Sequence, residues 1–512
     1  MTKNPAKVYS AELEGINAKL IEVELDLNVG LHSFNIVGLA DKALNEAKER
    51  VNAALKNSGI KPPNRENRKI TVNLAPADIK KNGSHYDLAI AIGYLLATEQ
   101  MKPFETRDKL FLGELALDGR LRPVNGALNI AQMAADLGFE YFFLPAQNAN
   151  EAAAIQGIKI IPLEKLTDAI DFLEERTFIN PITFKPIQAR SFFGPDFSEI
   201  KGQENAKRAL TIAAAGSHNV LLIGPPGVGK SLLAQALAGI LPDLEQEEAI
   251  EITKIWSAAG LSPGGLIHER PFRAPHQTAS LIAMVGGGQN PKPGEISLAH
   301  RGVLFLDEVP EFQKTALEAL RQPMESGYIH VSRAKHALIF PAKFTLIAAM
   351  NPCPCGYYGD PEQDCKCAPF EVGKYQKKIS GPLLDRIDLQ IKVGRINIAE
   401  LRNRKEIRPQ SPEIKSRIEE SRRIQFERFK HLPRGRRIAT NAEMSSRQVE
   451  NLAHPDASAE AFLETIDKPD LSPRGYYRLL KVARTIADLE GQESITKNHI
   501  AEAYGYRIKK ED

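Results

Sequence analysis

The chain has 512 residues, 43% of them hydrophobic, enough for about three domains each with a buried core. Its charged residues, 26% of the total, nearly cancel to a formal +3, so net charge neither demands nor excludes nucleic acid and any basic surface is local. The most apolar run, Leu88 to Ala97, is too short to span a bilayer, and the amino terminus has no signal-peptide stretch; a cytoplasmic protein without a membrane partner is expected. Its four cysteines are then thiols or metal ligands rather than disulfides.

Residues 1–175 read as an α/β domain without a nucleotide motif. Ala18 to Leu27 alternates as a strand, Asp41 to Ser58 is helical with Gly59 as its stop, Lys69 to Leu74 is a strand and Tyr86 to Leu96 a buried helix. Phe111 to Leu121, FLGELALDGRL, is a hairpin turning at Asp118-Gly119; Ala127 to Leu137 is helical and Tyr141 to Leu144 a strand. Asn82 to Ala91 together with LGELALDGRLRPVNGAL resembles the proteolytic domain of Lon and its inactive cousins, and FNIVGLADKALNEAKERV resembles the amino-terminal domain of magnesium-chelatase-like proteins. The Lon resemblance implies a serine nucleophile activated by a lysine. Here His85 stands where the serine should be and Leu128 where the lysine should be, while Ser84 is one position off with no lysine to activate it. The expectation is a Lon-protease-like fold without protease chemistry. Residues 176–198, with Pro181, Pro186 and Pro195, read as a linker.

Residues 199–395 carry the nucleotide chemistry. Asn219 to Leu241 is a short aliphatic strand, a glycine-rich turn and an amphipathic helix ended by Pro242. Gly224 to Ser231 is G-x-x-x-x-G-K-S. Its glycines let backbone N–H groups curl toward a phosphate, and the helix adds its positive end. Gly224, Pro225, Pro226, Gly227, Val228, Gly229, Lys230, Ser231 and Leu232 thus form an ATP cradle, with Lys230 toward the terminal phosphates and the Ser231 hydroxyl toward Mg²⁺. Val303 to Glu308, VLFLDE, is a buried strand delivering Asp307 to the same Mg²⁺ and Glu308 to an attacking water.

Ile200-Lys201-Gly202-Gln203 and the helix Ala206 to Ala215 resemble the segment near the adenine ring of AAA+ ATPases. That resemblance implies that Asn351, ending the strand Phe344 to Met350, polarises the attacking water. GPLLDRIDLQI at Gly381 to Ile391 resembles the arginine-finger block, which makes Arg386 a finger reaching a neighbouring subunit's γ-phosphate and requires a ring. Residues 396–512 read as a helical connector and lid. LSPRGYYRLLKVARTIADL opens a lid helix capped by Ser472, with Arg474 as a second sensor touching its own subunit's nucleotide.

Two segments, 256–293 and 328–340, project from the core. The first is rich in glycine and proline, and relatives imply a pore loop with Val285 to Gly288 as its tip. The second reads as two alternating strands around a basic turn, Arg333, Lys335 and His336, which either follows a DNA backbone along the ring channel or simply keeps the hairpin solvated. A long helix, Ser411 to Lys430, begins a second basic cluster that includes Arg422, Arg423, Arg428 and Lys430. Interleaved Glu419, Glu420 and Glu427 leave Arg434, Arg436 and Arg437 as its DNA candidates. Cys353, Cys355, Cys365 and Cys367 follow Asn351 directly, and two readings stand: a tetrahedral Zn²⁺ site or four free thiols.

RPFRAPHQTAS at Arg270 to Ser280, VGGGQNPKPGEISLAHRGVLFLDEVPEF at Val285 to Phe312 and AAMNPCPCGYYGD at Ala348 to Asp360 extend the resemblance over nearly the whole chain, to the ComM/YifB family of magnesium-chelatase-like AAA+ proteins. The fold class implied is α/β: an AAA+ P-loop NTPase core with a parallel sheet, an α-helical lid and an amino-terminal Lon-like domain. Members are implied to be homohexameric motors promoting branch migration on single-stranded and branched DNA during natural transformation. A chelatase-type ATPase remodelling a protein or porphyrin partner is the alternative.

Overall fold

Alternation of apolar and charged residues makes the first two strands. Val8, Ile21, Val23 and Leu25 point inward and are buried, while Lys7 and Glu22 on the outer face pair at 2.5 Å. Ala6–Glu14 and Asn17–Val29 run antiparallel, Ala6 opposite Leu25 through Glu14 opposite Asn17, and the chain reverses at Gly15 with φ +68°. In this computed structural model residues 5–39, 41–65, 67–184, 194–288, 291–332, 337–396, 409–432, 438–466 and 471–507 are described.

The two strands sit in a seven-stranded mixed sheet ordered Ser33–Val37, Arg68–Ala75, Asn17–Val29, Ala6–Glu14, Lys109–Phe111, Tyr141–Pro145, Lys159–Leu163. One face is covered by the apolar helix Asp87–Ala97, whose Gly93 lets the helix close onto Leu25 and Val8. The other face packs the helix Ala127–Asp136. The expected strands of this half and the helices Tyr86 to Leu96 and Ala127 to Leu137 are present, as is the Asp118-Gly119 turn between Glu114–Leu115 and Leu121–Arg122, whereas the expected helix Asp41 to Ser58 is split at Glu46 into Lys42–Asn45 and Ala47–Asn57.

A second sheet has five parallel strands in the order Phe272–Arg273, Val303–Leu306, Thr345–Met350, Val220–Ile223, Leu389–Lys392. Both faces are covered, which is why its strands are continuously apolar. Val220, Leu222, Phe305 and Ile391 meet the helix Glu204–Gly216 and the carboxyl-terminal helices, whereas Leu221, Leu304, Leu306 and Met350 face the opposite core. The strand ending in Asn351 lies between the cradle strand and the VLFLDE strand. All three carboxyl ends therefore open on one edge, where ligands bind in sheets of this kind.

The insert differs from its expected form. Trp256 belongs to a regular helix, Gln246–Ala259, because Ala249, Ile252, Ile255 and Ala258 keep helical spacing until Gly260 ends it in the left-handed region. Phe272–Arg273 then forms the edge strand of the ATPase sheet, so only the short ladder Gly286–Gly287 with Lys292–Pro293 is a hairpin. The second projection is as expected: Tyr328–Ser332 pairs antiparallel with Ala337–Pro341. Its buried Leu338 and Phe340 approach Gly15 of the first sheet's turn. The helices flanking the two sheets also meet where Gly126 N–H donates to the Ser257 carbonyl and hydroxyl (3.2 and 3.0 Å) and where the buried Glu151 accepts from Ser257 and Ser262.

The carboxyl-terminal helices Ser411–Phe429, Ser446–Leu452, Ala457–Thr465, Pro473–Leu489 and Lys497–Gly505 pack on the face carrying Glu204–Gly216. Ser472 caps the lid helix, accepting from Gly475 N–H at 3.1 Å. Among the described residues no helix is long and apolar enough to cross a membrane.

Candidate active site

The phosphate cradle is built by close approach and left-handed backbone. A Cβ on Gly224 would run into the carbonyl oxygen of Val393, while Gly227 (φ +81°) and Gly229 (φ +89°) face open space. Lys230 opens the helix Lys230–Ile240 and is nearly buried. Its ammonium donates to the carbonyls of Gly224 (2.7 Å) and Pro225 (2.8 Å) and to Oδ1 of Asn351 (3.0 Å). Burial pulls its pKa down, and the charges of Asp307 and Glu308 oppose that. Six of the expected site residues, Gly224, Pro225, Lys230, Ser231, Asp307 and Asn351, are thus bonded in this region, since Ser231 Oγ also donates to Asp307 Oδ2 at 2.7 Å. A hydroxyl and a carboxylate at this spacing are a hard-oxygen pair suited to Mg²⁺, and the curled loop suits a phosphate chain; the donor set fits Mg–ATP.

Glu308 is held in the left-handed region (φ 49°, ψ 48°), uncommon for a residue with a Cβ. Its N–H donates to Asp307 Oδ1 at 2.9 Å, while the other oxygen of Asp307 accepts from Ser231, so both oxygens of that carboxylate are held. Tyr375 was not among the expected residues. Its phenol is pushed up to about 12, chiefly by burial and then by the charges of Glu311 and Glu308, which places it among the acids on this edge. Gln203 Nε2 donates to the carbonyl of Gly394 at 2.6 Å and ties the IKGQ turn to the residues that follow the strand Leu389–Lys392.

The two arginines lie elsewhere. Arg386 precedes the strand Leu389–Lys392; its carbonyl accepts from Asn219 Nδ2 at 3.1 Å, at the amino end of the cradle strand. The residue is 6% exposed, and its guanidinium donates to the Pro382 carbonyl (2.7 Å) and to Glu325 Oε2 (2.5 Å), with Nε unpartnered. Arg474 donates to the other oxygen of Glu325 at 3.0 Å. Both arginines therefore stand on the sheet edge opposite their own cradle. Both guanidinium groups are held by Glu325 rather than by a residue of the cradle. Glu325 was not foreseen. Its partners lie 61 and 149 residues further along the chain, and only the tertiary fold joins them.

Beneath Arg386, buried Asp388 accepts from Arg478 (2.5 Å) and Asn219 N–H (3.0 Å) and lies 3.4 Å from His218. Burial alone would raise its pKa, yet Arg478, His218 and that N–H hold it well below the usual carboxylate range.

In the first sheet no Lon-type pair forms among the described residues. Ser84 donates to the Glu114 carboxylate, His85 Nε2 sits 3.0 Å from the Ala11 carbonyl, and Leu128 is buried in the core. The candidate DNA residues Arg333, Lys335, His336, Arg434, Arg436 and Arg437 lie outside the described residues. Two members of the basic cluster turn inward. Arg422 donates to the Ala214 carbonyl and Ser217 hydroxyl (both 2.8 Å), and Arg428 grips Asp488 at 2.5 and 2.9 Å. Burial brings Arg422 down to about 9. The four cysteine sulfurs converge within 4.8 Å of one another.

A parallel sheet with the cradle strand beside the Asn351 strand, joined to a helical lid, defines an AAA+ ATPase of the magnesium-chelatase type. Residues 196–401 match the family described as "Magnesium chelatase, subunit ChlI", 23–148 match "Subunit ChlI of Mg-chelatase", and 408–507 match "Magnesium chelatase, subunit ChlI C-terminal". Within that class the chain belongs to the ComM/YifB family. It is 42% identical to "Competence protein ComM" of Haemophilus influenzae over 98% of this chain and 97% of the relative, and 42% identical to YifB of Escherichia coli over 98% and 96%. The "Magnesium-chelatase 38 kDa subunit" of Rhodobacter capsulatus is 26% identical over 59% of this chain and 84% of its own length.

Proposed function

We propose that this ATPase is a cytoplasmic homohexameric motor that hydrolyses Mg–ATP to drive branch migration on single-stranded and branched DNA during uptake and recombination of foreign strands. One observation carries the reading: each subunit holds its cradle on one sheet edge and Arg386 with Arg474 on the other, so a complete site needs a neighbour. In this reading Lys230 binds the terminal phosphates, Ser231 and Asp307 hold Mg²⁺, Glu308 orients the water, Asn351 polarises it, and the neighbour's arginines meet the charge that spreads over the transferred phosphoryl group. Residues 1–175, 199–395 and 396–512 act as a non-proteolytic front domain, a motor core and a lid. In this reading Arg333, Lys335 and His336, between the strands Tyr328–Ser332 and Ala337–Pro341 in sequence, bind the DNA backbone, with Arg434, Arg436 and Arg437 as a second contact. The cysteine loop takes a structural Zn²⁺. A relative named as a competence protein, matched over nearly its whole length, supports the DNA reading.

The test is strand exchange on forked and four-way DNA with ATP, using Glu308→Gln as the control. ATP-dependent exchange by the native chain and none by the variant is expected. An ATPase rate indifferent to every DNA tested would instead favour a chelatase-type ATPase remodelling a protein or porphyrin partner, a reading supported by the likeness to the chelatase subunit.

A further inference from the structure

The loop between Asn351 and the helix Pro369–Gln376 has no strand or helix and almost no core. Of residues 352–368 only Cys353 and Gly356 are buried. Apolar burial cannot order a segment of this length, which needs a cross-link. The sulfurs supply one. Cys353 Sγ lies 3.3 Å from Cys355 Sγ and 3.6 Å from Cys365 Sγ, Cys355 and Cys365 are 3.6 Å apart, and Cys367 completes the set. Four thiolates about 2.3 Å from one Zn²⁺ stand about 3.8 Å from each other, close to these spacings. Backbone N–H groups support the sulfurs: Tyr358 donates to Cys353 at 3.3 Å, and the amides of Tyr357 and Lys366 face Cys355.

This loop touches the ATP cradle on both sides. Gly356, at φ +88°, lies so close to the phosphate loop that a Cβ would come within 2.6 Å of Pro226 Cδ. Asn351, two residues before Cys353, accepts from Lys230. On the far side Arg395 binds Asp360 (2.8 Å), Glu362 (3.3 Å) and Gln363 (2.9 Å), two residues after Val393, whose carbonyl crowds Gly224.

Resting on the reading that the four thiolates hold Zn²⁺, we infer that the metal braces the nucleotide site: by closing the loop it holds Gly356 against Pro226 and Asn351 on Lys230, so nucleotide affinity depends on the metal. Loss of the metal by chelation releases the phosphate loop and weakens ATP binding.

The experiment uses the full chain. Mercurial titration of the thiols should release one Zn²⁺ per chain, and Co²⁺ exchanged into the site should show tetrahedral d–d and thiolate charge-transfer bands. Binding of a fluorescent ATP analogue is then measured on native, metal-stripped and Zn²⁺-restored protein. Stripping should weaken binding by about tenfold to a hundredfold, with recovery on restoring the metal, as for a site displaced by a fraction of an ångström. Gly356→Ala separates brace from ligand: it keeps the thiols and the metal, and its affinity should still fall. If no Zn²⁺ is released and no cobalt spectrum forms, the metal reading is wrong. If Zn²⁺ is present but stripped, folded protein and Gly356→Ala both bind nucleotide as the native chain does, the metal stands and the brace is refuted.

Discussion

Removing Arg386 tests the geometry most directly. The carbonyl of Arg386 is fastened to Asn219, and the cradle begins at Gly224, five residue steps along the same strand. At about 3.3 Å per residue the separation is roughly 16 Å, beyond the reach of an arginine side chain, so Arg386 cannot serve its own subunit's phosphates. If it serves the neighbour's, Arg386→Ala should lower the ATPase rate by about 10³- to 10⁵-fold while nucleotide still binds, and Lys230→Ala should abolish binding. Neither variant is active alone, but they are complementary. Subunits carrying Arg386→Ala keep a sound cradle, and those carrying Lys230→Ala keep a sound arginine. Random co-assembly in a ring then pairs sound cradle with sound arginine at about one interface in four, and ATPase should return to about a quarter of the native rate. The assay is phosphate release by co-expressed, doubly tagged rings, with melting temperature as the control, because Arg386 is buried. Mixed rings no more active than the parents would refute the shared site.

Other consequences are as concrete. Glu308→Gln should retain ATP with hydrolysis down about 10²- to 10⁴-fold, seen as nucleotide that stays bound through gel filtration. Gly224→Ala sets a Cβ against the Val393 carbonyl and should lose nucleotide binding and about 1–3 kcal/mol of stability in a urea titration. Glu12 accepts from Tyr86 (2.6 Å) and Asn82 N–H (3.0 Å), yet burial pushes it from 4.5 up to about 7. A raised carboxyl pKa gives stability that is present below about pH 4.5 and lost as pH rises through 7, a difference on the order of 3 kcal/mol, so Glu12→Gln should flatten unfolding free energy between pH 5 and 8. Replacing Arg333, Lys335 and His336 together by alanine should weaken single-strand binding and lower its salt slope by about 0.7 per lost cationic contact; an unchanged slope would remove the hairpin from the DNA path.

What the sequence disclosed was local. The run from Val220 to Ile240 specifies a strand, a turn and a helix within about twenty residues, and each transition has its own cause: aliphatic strand residues, glycines at positive φ, and helical spacing up to Pro242. VLFLDE is legible for the same reason, since a four-residue buried strand must end where its charged residues begin. Phe272–Arg273 was not legible. Two residues carry no periodicity, and their place at the edge of the sheet depends on pairing with Val303 and Leu304, about thirty residues later.

The same distinction separates the parts of the site. Cradle, acids and Asn351 each sit at the carboxyl end of a strand, so their convergence follows once the strands are known to be parallel. Glu325, the Gly356–Pro226 contact and the inward turn of Arg422 are fixed by packing between segments far apart in the chain. A basic residue on a charged helix reads as exposed from its neighbours alone. Yet Arg422 donates to Ala214 and Ser217 because the connector helix lies across the end of Glu204–Gly216, whose last carbonyls need donors. Helix ends and sheet edges attract charged side chains from anywhere in the fold, so the residues that link nucleotide site, lid and hairpin are the ones that sequence pattern leaves unmarked.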